Sequence, residues 1–138
     1  MSAFVGTETD LIDRWLVAVL GADGSAVYAD LADEDAPYPF YAFTMMSGGS
    51  DTLGVGQARI MARPLYLVKA TVQGTSYDAA RPANKRADQL LHGAKNILVP
   101  GGMIISCTRE APFKMPEVAN GVSYRHLGGM YRFEVQAT

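Results

Sequence analysis

Apolar residues recur at helical spacing in two stretches of the chain. The first stretch predicts a helix over about residues 8–20, because its apolar residues fall on one side: Ile12, Trp15, Leu16, Val19 and Leu20. Thr7 and Asp10 resemble the capping box that begins many helices. The second stretch has a stripe of small and apolar residues, which predicts a helix packed closely on a sheet: Ala80, Ala83, Ala87, Leu90, Leu91 and Ala94. Ser76 or Asp78 is expected to cap this second helix.

Other stretches alternate apolar and polar residues with the period of a β-strand. Residues 40–46 and 59–72 show this pattern, and Pro64 is expected to interrupt the second of these strands as a bulge or an edge position. Residues 103–108 predict a third strand, and residues 122–137 contain two further short runs. The order of elements predicts one domain of the α+β class spanning all 138 residues. It should be a largely antiparallel β-sheet with two α-helices packed on one face.

The sheet face away from the helices is expected to be less polar than a solvated face usually is. It is predicted to mix a few charges with six apolar residues: Tyr41, Phe43, Met45, Met61, Leu65 and Leu67. Monomeric proteins rarely expose a large apolar area, so a neighbouring chain is the preferred cover for this face. An N-terminal arm or a loop that folds back over the sheet is the alternative.

A glycine-rich stretch, SGGSDTLGVG at residues 47–56, lies between two predicted strands. A phosphate-binding loop needs Gly-Lys-Ser/Thr, or glycines at a strand-to-helix junction, so that backbone N–H groups converge on the phosphate. No lysine follows Gly56, and the next residues have the pattern of a strand. The stretch therefore predicts a hairpin loop, with Asp51 at its tip, that contacts another protein.

Residues with the chemistry for catalysis or metal binding are few and scattered. Cys107 is the only cysteine, which excludes an intrachain disulfide and a cysteine-based zinc cluster. His92 and His126 lack the spacing of a helical metal pair and are expected to be structural. Glu34 and Asp35 lie in an acidic run without the apolar pocket that separates the pKa values of catalytic carboxylates. We therefore predict no catalytic, cofactor-binding or metal-binding residues, and a protein that is not an enzyme.

The charge along the chain is unevenly distributed, although the net charge is only −2. Residues 1–35 carry eight acidic residues and one basic residue, whereas residues 36–138 carry eleven basic and six acidic residues. Such separation favours head-to-tail contact between copies. No run of about 18 apolar residues and no basic-then-apolar N-terminus is present, so a soluble protein without a membrane span or secretory signal is expected.

The candidate interface residues follow from this charge separation, from the glycine-rich stretch and from the polar side of the long strand: Asp33, Glu34, Asp35, Asp51, Arg59, Arg63, Arg81, Lys85 and Arg86. The acidic run is expected to dock on Arg81, Lys85 and Arg86 of a neighbouring copy. In the alternative interpretation, the acidic run only solvates a loop and the basic residues only solvate the second helix.

Several segments of the chain resemble one known family: PFYAFT at 39–44, RPLYLVKA at 63–70, SYDAA at 76–80 before a helix ending in LLH, and YRHLGGMYR at 124–132. Over most of its length the chain resembles the tail terminator proteins, also called tail completion proteins, of tailed bacteriophages. The resemblance implies an α+β subunit that assembles into a ring, usually a hexamer, on the last ring of a long tail tube. Such a ring stops tube polymerisation and meets the head-side connector.

The resemblance also implies partners and a location. The partners are further copies of the chain, the tail tube protein and the head-to-tail connector or head-closure protein. No membrane and no sequence-specific nucleic acid are implied, with DNA passing through the bore, and the location is the tail or neck of a virion made in the host cytoplasm. The family has interfaces and no active centre, so no residue-level site transfers. A head-closure or connector protein, and a small ligand-binding or enzymatic α+β domain, are the alternative hypotheses.

Overall fold

The computed structural model describes residues 8–49, 51–53 and 59–137. Two α-helices, a short 3-10 helix at Gly21–Asp23 and eight strands occur in these ranges. The helices are α1 (Glu8–Leu20) and α2 (Ala80–Leu91). The strands are β1 (Val27–Ala29), β2 (Phe40–Ser47), β3 (Asp51–Leu53), β4 (Arg59–Ala62), β5 (Leu65–Gln73), β6 (Lys95–Val99), β7 (Gly102–Ala119) and β8 (Val122–Ala137).

The eight strands form one sheet, in which the long strand β8 is central. The strand β7 pairs along the whole of one edge of β8, while β5 and then β4 pair along the other edge. The sheet continues from β5 to β2 and β1, from β4 to β3, and from β7 to β6. All pairs are antiparallel except β1 with β2. The predicted α+β class, with a largely antiparallel sheet, is confirmed.

The two helices cover one face of the sheet and enclose the core. Their buried residues Leu16 and Leu91 are fully covered, as are Tyr66, Tyr131 and Phe133 from the strands beneath. Close packing of this kind makes large-to-small changes costly, at about 2–5 kcal/mol for a buried leucine changed to alanine. The helix α1 coincides with the predicted helix, but Thr7 of its expected capping box lies outside the described residues. We call this sheet face the helix face and the opposite one the open face.

The predicted apolar composition of the open face was wrong for three of its six residues. Met45 lies opposite the core residue Tyr66 and therefore faces the helix side. Tyr41 and Phe43 lie in the core beneath the helices, because β2 pairs with β5 in a register that sets Phe43 opposite Val68. Residues that face each other across an antiparallel pair share one side of the sheet. Leu65 and Leu67, which the same prediction grouped with them, alternate with core residues and therefore lie on the open face.

The predicted long strand over residues 59–72 is two strands that follow one another along β8. Arg63 and Pro64 separate them, and the carbonyl oxygen of Pro64 still accepts a hydrogen bond of 2.9 Å from the backbone N–H of Phe133. The expected interruption at Pro64 is thereby confirmed. Gly49 lies against this break with a φ of +66°, and a Cβ atom there would be 1.8 Å from the carbonyl oxygen of Arg63. Only glycine fits both the positive φ and the close approach.

The hairpin of β7 and β8 is longer than the sequence pattern predicted. The predicted strand over residues 103–108 extends to Ala119, and the two short runs after residue 122 are one strand of 16 residues. Asn120 and Gly121 make the tight turn, both with positive φ. The strand β6 covers β7 only as far as Ser106. Among the described strands none pairs with the outer edge of β7 over residues 110–119, where Pro112 and Pro116 lie.

The start of α2 also differs from the prediction. Ala79 is the N-cap residue, and no side chain caps the helix. The hydroxyl oxygen of Ser76 instead accepts a hydrogen bond of 3.1 Å from the backbone N–H of Asp78, which orders the turn before the helix. Pro82 is accommodated because it lies in the first turn, where its missing N–H would have no partner within the helix.

Candidate assembly surfaces

The acidic run lies in the loop between β1 and β2, over one end of the open face. Asp33, Glu34 and Asp35 are all exposed, while Ala36 is buried at 7% exposure and fixes the loop to the sheet. The backbone N–H of Ala36 donates to the carbonyl oxygen of Asp33 at 3.1 Å. Part of the open face is thus covered by a loop of the same chain, as one of the two sequence hypotheses proposed.

A cleft of about 230 Å³ lies between this loop and the sheet. Asp33 and Glu34 line it on one side, and Glu117 from β7 lines it on the other. Its remaining lining is aromatic or hydroxylic at Tyr38, Phe40, Thr71, Tyr124 and His126, together with Ala32. The rings of Tyr38 and Tyr124 lie 6.3 Å apart in a tilted arrangement. Three carboxylates and three aromatic rings therefore surround one opening.

His126 forms the floor of this cleft and is only 5% exposed. Its Nδ1 lies 2.7 Å from Oγ1 of Thr71, and its Nε2 lies 2.8 Å from Oε1 of Glu117. A neutral ring satisfies both contacts if Nε2–H donates to Glu117 and Nδ1 accepts from the Thr71 hydroxyl. Burial lowers the pKa of His126, Glu117 opposes this effect, and the nearby ammonium of Lys69 adds to it.

This arrangement of threonine, histidine and glutamate contains the residue types of a nucleophilic triad. The side chain of Thr71 is nevertheless 2% exposed, and its hydroxyl is occupied by the imidazole. A nucleophile must reach the substrate to attack it. The geometry therefore favours a structural role for this buried hydrogen-bond chain, which links β5, β8 and β7.

The three basic residues predicted on α2 do not form one patch. Arg81 and Lys85 are exposed on one side of the helix, and Arg81 lies 3.6 Å from Asp78. Arg86 turns inward, where it donates to the carbonyl oxygen of Leu20 at 2.8 Å and lies 3.2 Å from Asp23. The predicted basic surface of three residues therefore contains only Arg81 and Lys85. Arg86 is one position beyond the exposed side of the helix, and its side chain binds the end of α1.

The remaining predicted interface residues lie near the β3–β4 end of the sheet. Asp51 does not lie at a loop tip, because it belongs to β3 and pairs with Ala62 of β4. Arg59 pairs with Leu53 in the same ladder, so the predicted loop over residues 47–56 contains a strand of its own. Residues 54–58, which connect β3 to β4, lie outside the described residues. Arg63 makes an ion pair of 3.5 Å with Glu134 on the open face.

A second charged surface, which the sequence analysis did not identify, lies on the helix face of the β7–β8 hairpin. The ammonium of Lys114 lies 4.5 Å from the ring centre of Tyr77, and the guanidinium of Arg125 lies 5.9 Å from the same ring. Both cations flank the turn before α2. The sequence signal was the alternation in β7 and β8, which assigns Lys114 and Arg125 to one face and Glu117 to the other.

A smaller polar cleft of about 160 Å³ lies between α1 and the edge of the sheet. The hydroxyl of Tyr66 donates to Oδ1 of Asp13 at 2.8 Å, and that of Thr44 donates to Oδ1 of Asp30 at 2.9 Å. Burial is the main reason that the pKa of Asp13 is raised, and the negative charges of Asp10 and Asp30 add to it. The contact between Tyr66 and Asp13 joins α1 to the sheet, while that between Thr44 and Asp30 fixes the chain after β1 to β2.

The described residues offer little chemistry for metal binding, thiol reactions or insertion into a membrane. Among the described residues no group of three or more His, Cys, Asp and Glu side chains is placed to hold a metal ion. Burial raises the pKa of the Cys107 thiol to about 12, so its reactive thiolate form is scarce at neutral pH. None of the described helices has the length and apolar character needed to cross a bilayer.

Comparison with known proteins gives a likeness at the level of fold. No protein-family model matches the chain, and no curated protein matches it. A solved structure described as "Virion of native gene transfer agent (GTA) particle" contains a chain that superposes with a TM-score of 0.63. The superposition covers 94% of this chain and 95% of that chain, at 17% sequence identity. The likeness extends over nearly all of both chains and shows that they share a fold.

Proposed function

We propose that this protein is a structural subunit of a virion and that it acts there as the tail terminator. Identical copies form a ring, a hexamer, that caps the tail tube, stops its polymerisation and joins the tail to the head-side connector. The observation that carries the proposal is the fold shared almost end to end with a chain of the gene transfer agent virion particle. The resemblance of four segments to tail terminators supports the more specific role.

The distribution of charge supports assembly into a closed ring. A ring requires two different surfaces on each subunit, one complementary to the other. The acidic residues Asp33 and Glu34 lie over the open face, whereas Lys114 and Arg125 lie on the helix face beside Tyr77. Opposite charges on opposite sides of the sheet favour contact between successive copies in one rotational direction.

The test uses the tail tube protein with which the chain is proposed to assemble. Purified tube protein is allowed to polymerise with and without the terminator, and tube lengths are measured by negative-stain electron microscopy. We expect six-membered rings by mass photometry, rings at one end of each tube, and shorter tubes as the terminator concentration rises. Bovine serum albumin at the same concentration is the control and should leave tube length unchanged.

Other outcomes of this test point to the alternatives. Rings that bind the connector or portal but leave tube growth unchanged would replace the terminator role by a head-closure role in the neck. A monomer at all concentrations, without any effect on tubes, would contradict both virion roles and favour a ligand-binding domain. The cleft beside His126 would then be the first place to search for a ligand.

The acidic run offers a test of its own. Changing Asp33→Asn, Glu34→Gln and Asp35→Asn together removes three negative charges with little change in side-chain size. We expect the triple variant to assemble less well, with the largest deficit at low salt, because salt already screens exposed charges in the unchanged protein. Equal oligomer masses for both proteins at low and high salt would contradict a role of this run in assembly.

A further inference from the structure

The end of the β7–β8 hairpin has opposite charge on its two sides. This hairpin end comprises residues 112–127, in which alternate side chains point to the helix face and to the open face. Lys114 and Arg125 lie on the helix face with Tyr77. Glu117 lies on the open face, where Asp33 and Glu34 of the acidic loop join it around the cleft. One strand pair thus separates a basic side from an acidic side.

The cleft on the acidic side has the chemistry to bind a cationic side chain. Three carboxylates attract an ammonium or guanidinium, and the rings of Tyr38, Phe40 and Tyr124 offer faces for cation–π contact. Lys69 also faces this region, and burial lowers the pKa of its ammonium. The three carboxylates outnumber this one ammonium, while the imidazole of His126 is already held by Thr71 and Glu117.

The basic side offers the kind of cation that such a cleft would bind. Lys114 is exposed, and its ammonium lies over the ring of Tyr77. Arg125 is held by a hydrogen bond of 2.9 Å from its Nη1 to the carbonyl oxygen of Tyr124. Asp78 lies in the turn that follows Tyr77, but it pairs with Arg81, so the surroundings of Lys114 and Arg125 keep a positive balance.

The two sides cannot meet within one chain, because the sheet itself lies between them. We propose that the basic side of one copy, with Lys114 foremost, occupies the acidic cleft of a second copy, and that this contact repeats around the ring. The proposal rests on the ring assembly proposed above and identifies its charged interface. It differs from docking on α2, because the complementary cations are Lys114 and Arg125 rather than Arg81 and Lys85.

Reciprocal charge reversal tests the interface in solution. The acidic variant carries Asp33→Lys and Glu34→Lys, the basic variant carries Lys114→Glu and Arg125→Glu, and a third protein carries all four changes. We expect each double variant to raise the dissociation constant between copies at least tenfold, and the combined protein to recover most of that loss. Sedimentation velocity over a range of concentrations measures the constants, and circular dichroism checks that every variant is folded.

Two neighbouring residues supply matched controls for the same measurement. Asp35 is exposed beside Glu34 but does not line the cleft, and Lys85 is exposed on α2. Asp35→Lys and Lys85→Glu should therefore leave the dissociation constant within about twofold of the unchanged protein, since long-range charge effects are screened. If Lys85→Glu weakens association as much as the Lys114 variant does, the contact lies on α2 and the proposal is wrong.

A directed cross-link gives an independent answer. Protein carrying Glu34→Cys is mixed with protein carrying Lys114→Cys under mild oxidation, and a disulfide-linked dimer is expected. Cys107 does not compete, because it is buried and its pKa is raised to about 12. The pair Asp35→Cys with Lys85→Cys is the control and should give little dimer.

The outcomes separate this interface from the proposed function. Rings that cap tubes yet show neither the cross-link nor sensitivity to charge reversal would overturn the interface and leave the terminator role standing. Copies that cross-link and respond to reversal but do not shorten tubes would retain the interface and overturn the terminator role. An unchanged protein that does not associate, together with cysteine variants that do not cross-link, would overturn the interface.

Discussion

The guanidinium of Arg86 donates a hydrogen bond of 2.8 Å to the carbonyl oxygen of Leu20, the last residue of α1. The last carbonyl groups of a helix have no partners within the helix, and their partial negative charge attracts a cation. Arg86 also forms an ion pair of 3.2 Å with Asp23 and lies 5.9 Å from the ring centre of Tyr41. One side chain of α2 therefore fixes the end of α1 over the sheet.

Changing Arg86→Leu should destabilise the fold without altering the charged surface of α2. The change leaves the carbonyl oxygen of Leu20 without its donor, and a part-buried polar group that loses its partner costs about 1–3 kcal/mol. Urea denaturation measures the loss. Lys85→Leu is the control and should change the free energy of unfolding by less than about 0.5 kcal/mol. Equal effects of the two changes would contradict the capping role of Arg86.

Gly49 should be the less tolerant of two adjacent glycines. A Cβ atom at Gly49 would overlap the carbonyl oxygen of Arg63, and the residue also has a positive φ, whereas a Cβ at Gly48 meets nothing within 4 Å. We expect Gly49→Ala to lower the free energy of unfolding by about 2 kcal/mol or more, and Gly48→Ala to change it by less than about 1 kcal/mol. Chemical denaturation of both variants provides the comparison, and a similar loss in each would show that the break at Pro64 does not need glycine.

Asp13 should destabilise the protein at neutral pH because burial raises the pKa of its carboxyl group. A raised pKa means that the folded state holds the proton more tightly, so the stabilisation is present below the ordinary value of 3.8 and is lost as the pH rises through the folded value. Asp13→Asn keeps an acceptor for the Tyr66 hydroxyl and removes the charge. We expect a higher melting temperature for this variant at pH 7, with the difference shrinking towards pH 3.5. A lower melting temperature at pH 7 would show that Tyr66 requires the carboxylate.

The burial of His126 should make stability fall in mildly acidic solution. Its pKa is lowered from the ordinary value of 6.5, so the folded state takes up the proton less readily than the unfolded state. The corresponding stability is present above pH 6.5 and declines as the pH falls below it. We expect His126→Gln, which preserves one donor and one acceptor, to lose less stability than the unchanged protein between pH 8 and pH 5.5.

The second histidine provides the control for that experiment. His92 is exposed near the end of α2, and His92→Gln retains the buried His126, so the loss of stability in acid that His126 causes should persist in this variant. Melting temperatures measured at half-unit pH intervals would resolve the difference. If His92→Gln removed the pH dependence and His126→Gln did not, the assignment to the buried ring would be wrong.

The local pattern of apolar residues predicted an element correctly where its helical or strand period continued without interruption. The helix α1 begins and ends where the spacing of its apolar residues predicted, because that stripe faces one continuous core. Pattern failed in β8, where Gly128 and Gly129 resembled a break between two strands. The backbones of β8 and β5 are so close there that a Cβ at Gly128 would lie 2.0 Å from the carbonyl oxygen of Val68. The glycines permit that approach and continue the strand.

The candidate surfaces were harder to predict because they depend on contacts between distant segments. The position of Asp33 and Glu34 beside Glu117 requires the loop after β1 to fold over the open face, which no local pattern indicates. The inward direction of Arg86 was easier to predict from the sequence. Arg81 and Lys85 are four residues apart and share one side of a helix, whereas Arg86, the residue after Lys85, lies off that side. Lys114 was missed because the predicted third strand ended at residue 108, whereas β7 continues to Ala119.

The two prolines of β7, Pro112 and Pro116, have a consequence for the protein before it reaches its partners. The outer edge of β7 over residues 110–119 has no pairing strand among those described, and such edges commonly recruit strands from other molecules into fibrils. Proline has no N–H to offer an incoming strand, so Pro112 and Pro116 leave two gaps in any ladder built there. Pro112 and Pro116 thus protect this edge from fibril formation for as long as the subunit is free.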